Sequence, residues 1–140
     1  MIRNRLTVNT GDPAALFAYA GSHRQVFDLE KIVPFPDNPD EVSQDYLGLK
    51  LWYRKYRGTQ NVTDTSVTFL TSEPPVLVTY HFSSEALIDP ALIVLSRKLL
   101  EDHFCHEWWD APEMCKGESV FMRGYRTKAT TSAYRPRKRL

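Results

Sequence analysis

A strand followed by an Asp-Pro helix start occurs twice in this chain, and that repetition limits the available folds more than any other feature. In the first copy, "NRLTVNT" alternates Leu6 and Val8 against Thr7 and Asn9, the period-two signature of a half-buried strand. "GDPAALFAYAGSH" follows. Asp12 can accept from the orphan amides of a helix, and Pro13 fills a first helical position that needs no amide hydrogen. Leu16, Phe17 and Ala20 then fall on one face, and Gly21 marks a stop. In the second copy, "PVLVTYHFS" places Val76, Val78, Tyr80 and Phe82 on one side and Leu77, Thr79, His81 and Ser83 on the other. "IDPALIVLSRKLLEDHF" repeats the helix start, with Asp89 as cap and Pro90 as first residue. Its Leu92, Leu95, Leu99 and Phe104 are spaced to pack across a sheet.

The rest of the chain fits around these two units. "TSVTFLTS" and "PVLVTYHFS" form a hairpin across "EPP", while "CHEWWD" and "ESVFMRGYRTKAT" read as two more strands joined by "APEMCKG". "VFDLEKIVPFPDNPDEVSQDYLG" carries three prolines and many acids, and reads as a long irregular connection with one turn of helix. "TSAYRPRKRL" has no apolar period and is expected to be mobile. The order β-α-(long loop)-β-β-α-β-β predicts an α+β, ferredoxin-like split β-α-β sandwich. Two helices would cover one face of an antiparallel sheet, the other face would stay open, and an extra C-terminal strand would extend an edge. The expected organisation is a domain over 1–129 with a long insertion at about 24–64, then a basic tail over 130–140.

At 140 residues the chain is long enough for one domain with a real core. No apolar run is long enough to cross a bilayer, and the N-terminus has no stretch of signal-peptide length, so a cytoplasmic protein is expected. Two cysteines, Cys105 and Cys115, are too few for a disulfide framework and suit a reducing compartment. A net charge of +1 conceals an uneven distribution. Asp28, Glu30, Asp37, Asp40, Glu41 and Asp45 face only Lys31 in their stretch. After Glu118 there is no acid, while Arg123, Arg126, Lys128, Arg135, Arg137, Lys138 and Arg139 follow. Such asymmetry directs attention to an anionic partner.

Chemistry-bearing constellations are sparse. His103, Cys105, His106 and Cys115 could supply zinc donors, but Cys105 and His106 are adjacent and would point to opposite faces of a strand, so no metal is expected. The carboxylate pairs Glu101–Asp102 and Glu107–Asp110 could do acid–base work only if their environments separated them. The four histidines, His23, His81, His103 and His106, have no nucleophile motif such as Gly-x-Ser-x-Gly beside them, and "GTQNVT" lacks the glycines and lysine of a phosphate loop. No cofactor and no enzymatic activity are expected, with a small hydrolase as the enzymatic alternative. Trp108 and Trp109 must point in opposite directions, so one of them can be core.

"LKLWYRKYRG" is the stretch most suited to binding. Read as a strand, it alternates Leu49, Leu51, Tyr53 and Lys55 against Lys50, Trp52, Arg54 and Tyr56, and neither face is cleanly apolar. Its cations could lie along phosphates between aromatic rings, or snorkel over apolar surface and cover the sheet's edge. The same mixture suits a protein hot spot. The candidate partner-binding residues are Trp52, Tyr53, Arg54, Lys55, Tyr56 and Arg57, with Arg123, Arg126, Arg135, Arg137, Lys138 and Arg139 from the C-terminal region.

Several motifs carry a resemblance. Asn4, Arg5, Leu6, Thr7 and Val8, then Gly58, Thr59 and Asp64, then "GESVFMRGYRTKA" resemble the opening strand, central core and closing strand of the Api-like ferredoxin-like proteins of phages and plasmids. The match covers most of the chain. It departs where the family has tryptophans around Gly-Thr: here Arg57 precedes Gly58 and "QNV" follows. "IDP" also replaces the family's "SPP". The resemblance implies the fold and a mobile-element origin, the family itself having no assigned activity. The function expected is that of an accessory protein that binds a host protein or nucleoprotein complex in the bacterial cytoplasm and inhibits it sterically, its aromatic residues among Arg and Lys occupying that surface; the origin points to a counter-defence, anti-CRISPR-like target. A single-stranded nucleic-acid binder is the alternative from another class, and no membrane partner is implied.

Overall fold

The computed structural model describes residues 1–36 and 45–136. In chain order the elements are β1 (Ile2–Thr10), α1 (Pro13–Ala20), α2 (Leu29–Ile32), α3 (Tyr46–Tyr56), β2 (Thr63–Phe69), β3 (Val76–Ser84), α4 (Asp89–Lys98), β4 (His103–Asp110), β5 (Cys115–Met122) and β6 (Tyr125–Ala133). The six strands form one open sheet in the order β2-β3-β1-β4-β5-β6, antiparallel at every pairing. The protein is therefore a mixed α+β fold, with its first strand near the middle of the sheet.

Strand alternation sorts the two faces. Leu6 lies opposite Tyr80 on β3 and His106 on β4, and Val8 lies opposite Val78 and Phe104. All of these side chains are buried, as are Phe82 and Phe121 on the same face. Leu16 and Ala20 of α1, Leu29 and Ile32 of α2, and Ala91, Leu92 and Leu95 of α4 complete this core. Burying one such large side chain stabilises by roughly 1.5–3 kcal/mol, against about 0–1 for an exposed ion pair, so this face holds the fold together. The opposite face carries Arg5, Thr7, His81, Cys105, Glu107 and Trp109. Trp108 points inward and Trp109 outward, as the period of two requires.

Both helix starts form, but only one as expected. Asp12 caps α1 by accepting from the Ala15 amide at 3.1 Å. Ile88, not Asp89, holds the cap position of α4, and no side chain caps it. The Asp89 carboxylate instead accepts from Arg126 Nη1 at 2.8 Å, so an ion pair to β6 has replaced the cap. α4 ends at Lys98, and Phe104 belongs to β4, opposite Phe121.

Three further expectations are corrected. The sheet has more strands than predicted, because "ESVFMRGYRTKAT" is a hairpin. Arg123 and Gly124 both adopt positive φ, 52° and 83°, the two-residue turn whose twist matches paired strands. The second arm, β6, continues to Ala133, so residues 130–133 are sheet and the boundary drawn at 129/130 falls inside a strand. Among the described residues there are four helices rather than two: α2 is the single turn expected in the 24–64 insertion, but α3 adds eleven residues of helix there. Among the described residues no helix is long and apolar enough to cross a membrane.

A polar knot ties the start of the insertion to its end, just before β2. Buried Asp28 accepts from Ser22 Oγ (2.7 Å), the Glu30 amide (3.0 Å) and Asn61 Nδ2 (3.0 Å). Asn61 Oδ1 accepts in turn from the Leu29 and Val62 amides (3.0 and 2.8 Å) and from Gln25 Nε2 (3.1 Å). Burial alone would raise the Asp28 pKa, but these donors, with Arg24 nearby, hold it below the usual carboxylate value.

Candidate functional site

α3 is the element that carries the binding-type residues. Asp45 starts it by accepting from the Gly48 amide at 2.6 Å, and Arg54 and Lys55 lie in its last turn, where cations suit the helix dipole. It ends where the Arg57 and Gly58 amides both bond to the Tyr53 carbonyl, at 2.8 and 2.9 Å. Gly58 has φ 94°, and a Cβ there would stand 2.1 Å from the Leu87 carbonyl oxygen, so this termination requires glycine.

The helix divides the candidate residues into two groups. Leu49, Trp52 and Tyr53, spaced i, i+3 and i+4, form its half-buried inner stripe, and Tyr56 at i+7 flanks it, 43% exposed. Trp52 lies 4.8 Å from the Phe35 ring, 5.7 Å from Tyr53 and 5.2 Å from Tyr56, centroid to centroid. Arg57 closes the cluster: its guanidinium carbon is 5.1 Å from both the Trp52 and the Tyr53 ring centres. Arg57 Nε donates to the Val33 carbonyl at 2.8 Å, and Nη1 donates to the Gln60 carbonyl at 2.9 Å. The residue is only 2% exposed. Burial lowers its pKa, partly offset by Tyr53, Glu30 and Asp28, but arginine remains charged. Expected as a partner contact, Arg57 is an internal brace, because two carbonyls and two rings already occupy it.

The outer face is different. Two rows run along it at i, i+4 spacing: Tyr46, Lys50 and Arg54, and beside them Leu47, Leu51 and Lys55. Tyr46 is 80% exposed, Leu47 64% and Leu51 54%. Tyr46, Leu47 and Leu51 are not among the candidate binding residues of the sequence, and Lys50 is there only as one of the cations that could lie along phosphates. Their signal was present in the helical spacing of Leu49, Trp52, Tyr53 and Tyr56, which fixes the face they share. A groove of about 460 Å³ borders this surface, walled by Tyr46, Lys50, Tyr53 and Arg54 on one side and by Gly58–Gln60 and Glu85–Ala86 on the other.

The C-terminal candidates lie on a separate element. Arg123 is exposed in the β5–β6 turn, Arg126 is paired with Asp89, and Arg135 is exposed just beyond β6. Arg137, Lys138 and Arg139, like the acidic positions Asp37, Asp40 and Glu41, lie outside the described residues.

The chemistry-bearing side chains are dispersed or engaged. Among the described residues no group of three His, Cys, Asp or Glu converges as metal ligands. Cys105 lies on the open face with Glu118 Oε1 3.7 Å from its sulfur, and burial together with Glu118 and Glu107 pushes its thiol pKa up, which disfavours the thiolate. On the same face Arg5 makes a two-pronged contact to Glu107 (3.1 and 2.9 Å) and lies 5.3 Å from the Trp109 ring centre. His106 is fully buried. Asn4 donates its amide protons to the Ile2 and Phe82 carbonyls and to Ser84 Oγ, so its Oδ1 accepts from His106 Nε2–H at 2.8 Å. That fixes the tautomer and leaves Nδ1 without a partner among the described residues.

Comparison with known proteins assigns no family: no protein-family model, no curated protein and no solved structure matches the chain.

Proposed function

We propose that this chain is a non-enzymatic accessory protein of a phage or plasmid that docks through α3 onto a host protein or nucleoprotein complex and inhibits it by occupying that surface. The observation that carries this reading is the outward face of α3. An isolated helix of eleven residues is marginal in water, and α3 contributes no residue to the core. It is held by the Phe35–Trp52–Tyr53–Tyr56–Arg57 cluster, and what that cluster presents to solvent is Tyr46, Leu47, Leu51, Lys50, Arg54 and Lys55. Large apolar groups ringed by cations, with no acid anywhere on the helix, suit an acidic protein surface or one that normally receives nucleic acid.

The finer fold reading, a ferredoxin-like sandwich, is supported by the order β2-β3-β1-β4, with α1 between β1 and β2 and α4 between β3 and β4. The Api-like reading rests on the resemblance of its motifs alone. "NRLTV" lies within β1, Gly58-Thr59 terminates α3, and "GESVFMRGYRTKA" spans the closing hairpin.

Capture from a bacterial host lysate tests the proposal, comparing the wild-type chain with the double variant K50E/R54E. A stoichiometric partner retained by the wild type and lost by the folded variant is expected; equal capture by both, or none by either, refutes it. The second reading, single-stranded nucleic-acid binding, draws on Tyr46, Tyr53, Lys50 and Arg54 sharing one groove. A salt titration separates the two, since each phosphate contact adds about −0.7 to the log–log slope for a single strand.

A further inference from the structure

The sheet ends differently at its two sides. At the β2 edge the ladder is broken between Thr63 and Ser66, with Asp64 at φ 53°, an irregularity of the kind that blunts an exposed edge. At the β6 edge the single register break falls between Val120 and Phe121, opposite Lys128 and Arg126. From Lys128 to Ala133 pairing with β5 is uninterrupted. No described strand pairs with the other side of β6, and all nine of its residues are exposed.

The direction of the unpaired backbone follows from one bond. The Tyr134 amide donates to the Met114 carbonyl at 2.9 Å, toward β5. Backbone groups alternate sides along an antiparallel strand, so Ser132 and Thr130 also face β5, while Ala133, Thr131 and Ala129 turn their N–H and C=O groups outward. Small and β-branched side chains line this stretch, and no proline lies within β6. It is a ready template for one more strand.

Charge selects the occupant. No acidic residue follows Glu118, and Arg123, Lys128 and Arg135 are exposed around the edge, with Arg126 neutralised by Asp89. A second copy paired through β6 would gather Lys128 and Arg135 of both chains at one seam, a like-charge arrangement that opposes association. We infer that β6 takes an extended acidic segment of a partner protein as a seventh strand, backbone pairing supplying affinity and the cations supplying the preference for acid.

A blocked, fluorescently labelled peptide of five Glu-Val repeats is the probe, with a Lys-Val peptide, the Glu-Val peptide N-methylated at alternate amides, and oligothymidylate as comparisons. Binding is read by anisotropy, and amide exchange is followed by NMR. The wild-type chain should bind the Glu-Val peptide and gain protection at the Ala129, Thr131 and Ala133 amides. The N-methylated peptide, and the variant Thr131→Pro, should weaken binding about tenfold or more. Thr131→Pro removes an outward amide and leaves the β5 ladder intact, so its unfolding midpoint should stay close to wild type. K50E/R54E should bind the peptide as the wild type does, which separates this edge from α3. No peptide binding, equal binding of the Lys-Val or N-methylated peptide, loss of binding in K50E/R54E, or oligothymidylate binding without peptide binding would each overturn the inference. Self-association abolished by Thr131→Pro would overturn it in favour of a second copy.

Discussion

Replacing His106 by glutamine removes the one buried imidazole while keeping a donor where Nε2 now meets Asn4. Burial drives the His106 pKa down from 6.5 to about 4, and the attraction of Asp89 and Glu107 offsets only part of that. The native state therefore keeps the ring neutral, whereas the unfolded chain binds a proton as soon as pH falls through its ordinary range. Stability attributable to the neutral ring is fully present above pH 6.5 and is lost as pH falls toward 4. The full difference corresponds to about 3 kcal/mol, of which about 2 is lost by pH 5. Against a typical total of about 5–15 kcal/mol this decides whether the protein stays folded in mild acid. Asp28, held below its ordinary pKa, adds a loss at lower pH, and Asp102, raised by burial, acts in the opposite direction. Both are present in either protein, so the difference between wild type and His106→Gln isolates the ring. Urea unfolding at pH 7, 6 and 5 is the assay. The variant starts lower at pH 7 by about 1–2 kcal/mol, having lost the ring stacked beside Phe82, and the two stabilities converge as pH falls. Parallel decline of the two proteins, or a His106 ring that titrates near 6.5 by NMR in the folded state, would refute the reasoning.

Arg57→Met leaves the Val33 and Gln60 carbonyls without their donor and removes the cation from the Trp52 and Tyr53 faces. A loss of about 2–4 kcal/mol in urea unfolding is expected, with a changed tryptophan emission, while the exposed Arg54→Met stays within about 0.5 kcal/mol of wild type. Asn61→Ala removes the acceptor shared by the Leu29 and Val62 amides and the donor to buried Asp28. A loss of about 2–3 kcal/mol is expected, with faster amide exchange at Leu29 and Val62.

The sheet's central strands were legible because each separates an apolar face from a polar one. Tyr80 and Phe82 point in with Val76 and Val78, and His81 points out, as the alternation required. α1 was legible because Asp12, Pro13 and Gly21 are local signals that nothing distant overrides. Asp89 had the same local signal, but a cation arriving from β6 claimed its carboxylate, and no local rule contains that partner. α3 was misread for a different reason. A period of two sets Trp52 and Tyr53 on opposite sides; under a period of 3.6 they adjoin, and Leu49 and Tyr56 join them. The β5–β6 break rests on two residues, Arg123 and Gly124, whose left-handed backbone only glycine makes visible in advance. The Asp28–Asn61 knot joins residues from distant parts of the chain by hydrogen bonds, and composition gives no sign of such pairs.

The misreading of α3 also changes what its composition means for binding. An aromatic and basic run suggests a surface on which every ring and every cation is available, and Arg57, Trp52 and Tyr53 would then be anchors. In the helix, one ring face of Trp52 and one of Tyr53 are covered by the Arg57 guanidinium, whose nitrogens donate to backbone carbonyls. The charge is consumed internally in holding the helix end to Val33 and Gln60. The proposed docking face is instead made by exposed positions whose cations are bound to no backbone carbonyl among the described residues, the Tyr46–Lys50–Arg54 and Leu47–Leu51–Lys55 rows, where Lys50 and Lys55 lie only over the exposed Tyr46 and Tyr56 rings. The two groups are separable by experiment because they fail differently. If α3 docks as proposed, loss of an outer-row cation is expected to weaken association and leave unfolding alone, whereas loss of Arg57 is expected to lower stability and to reach a partner only through the helix it releases.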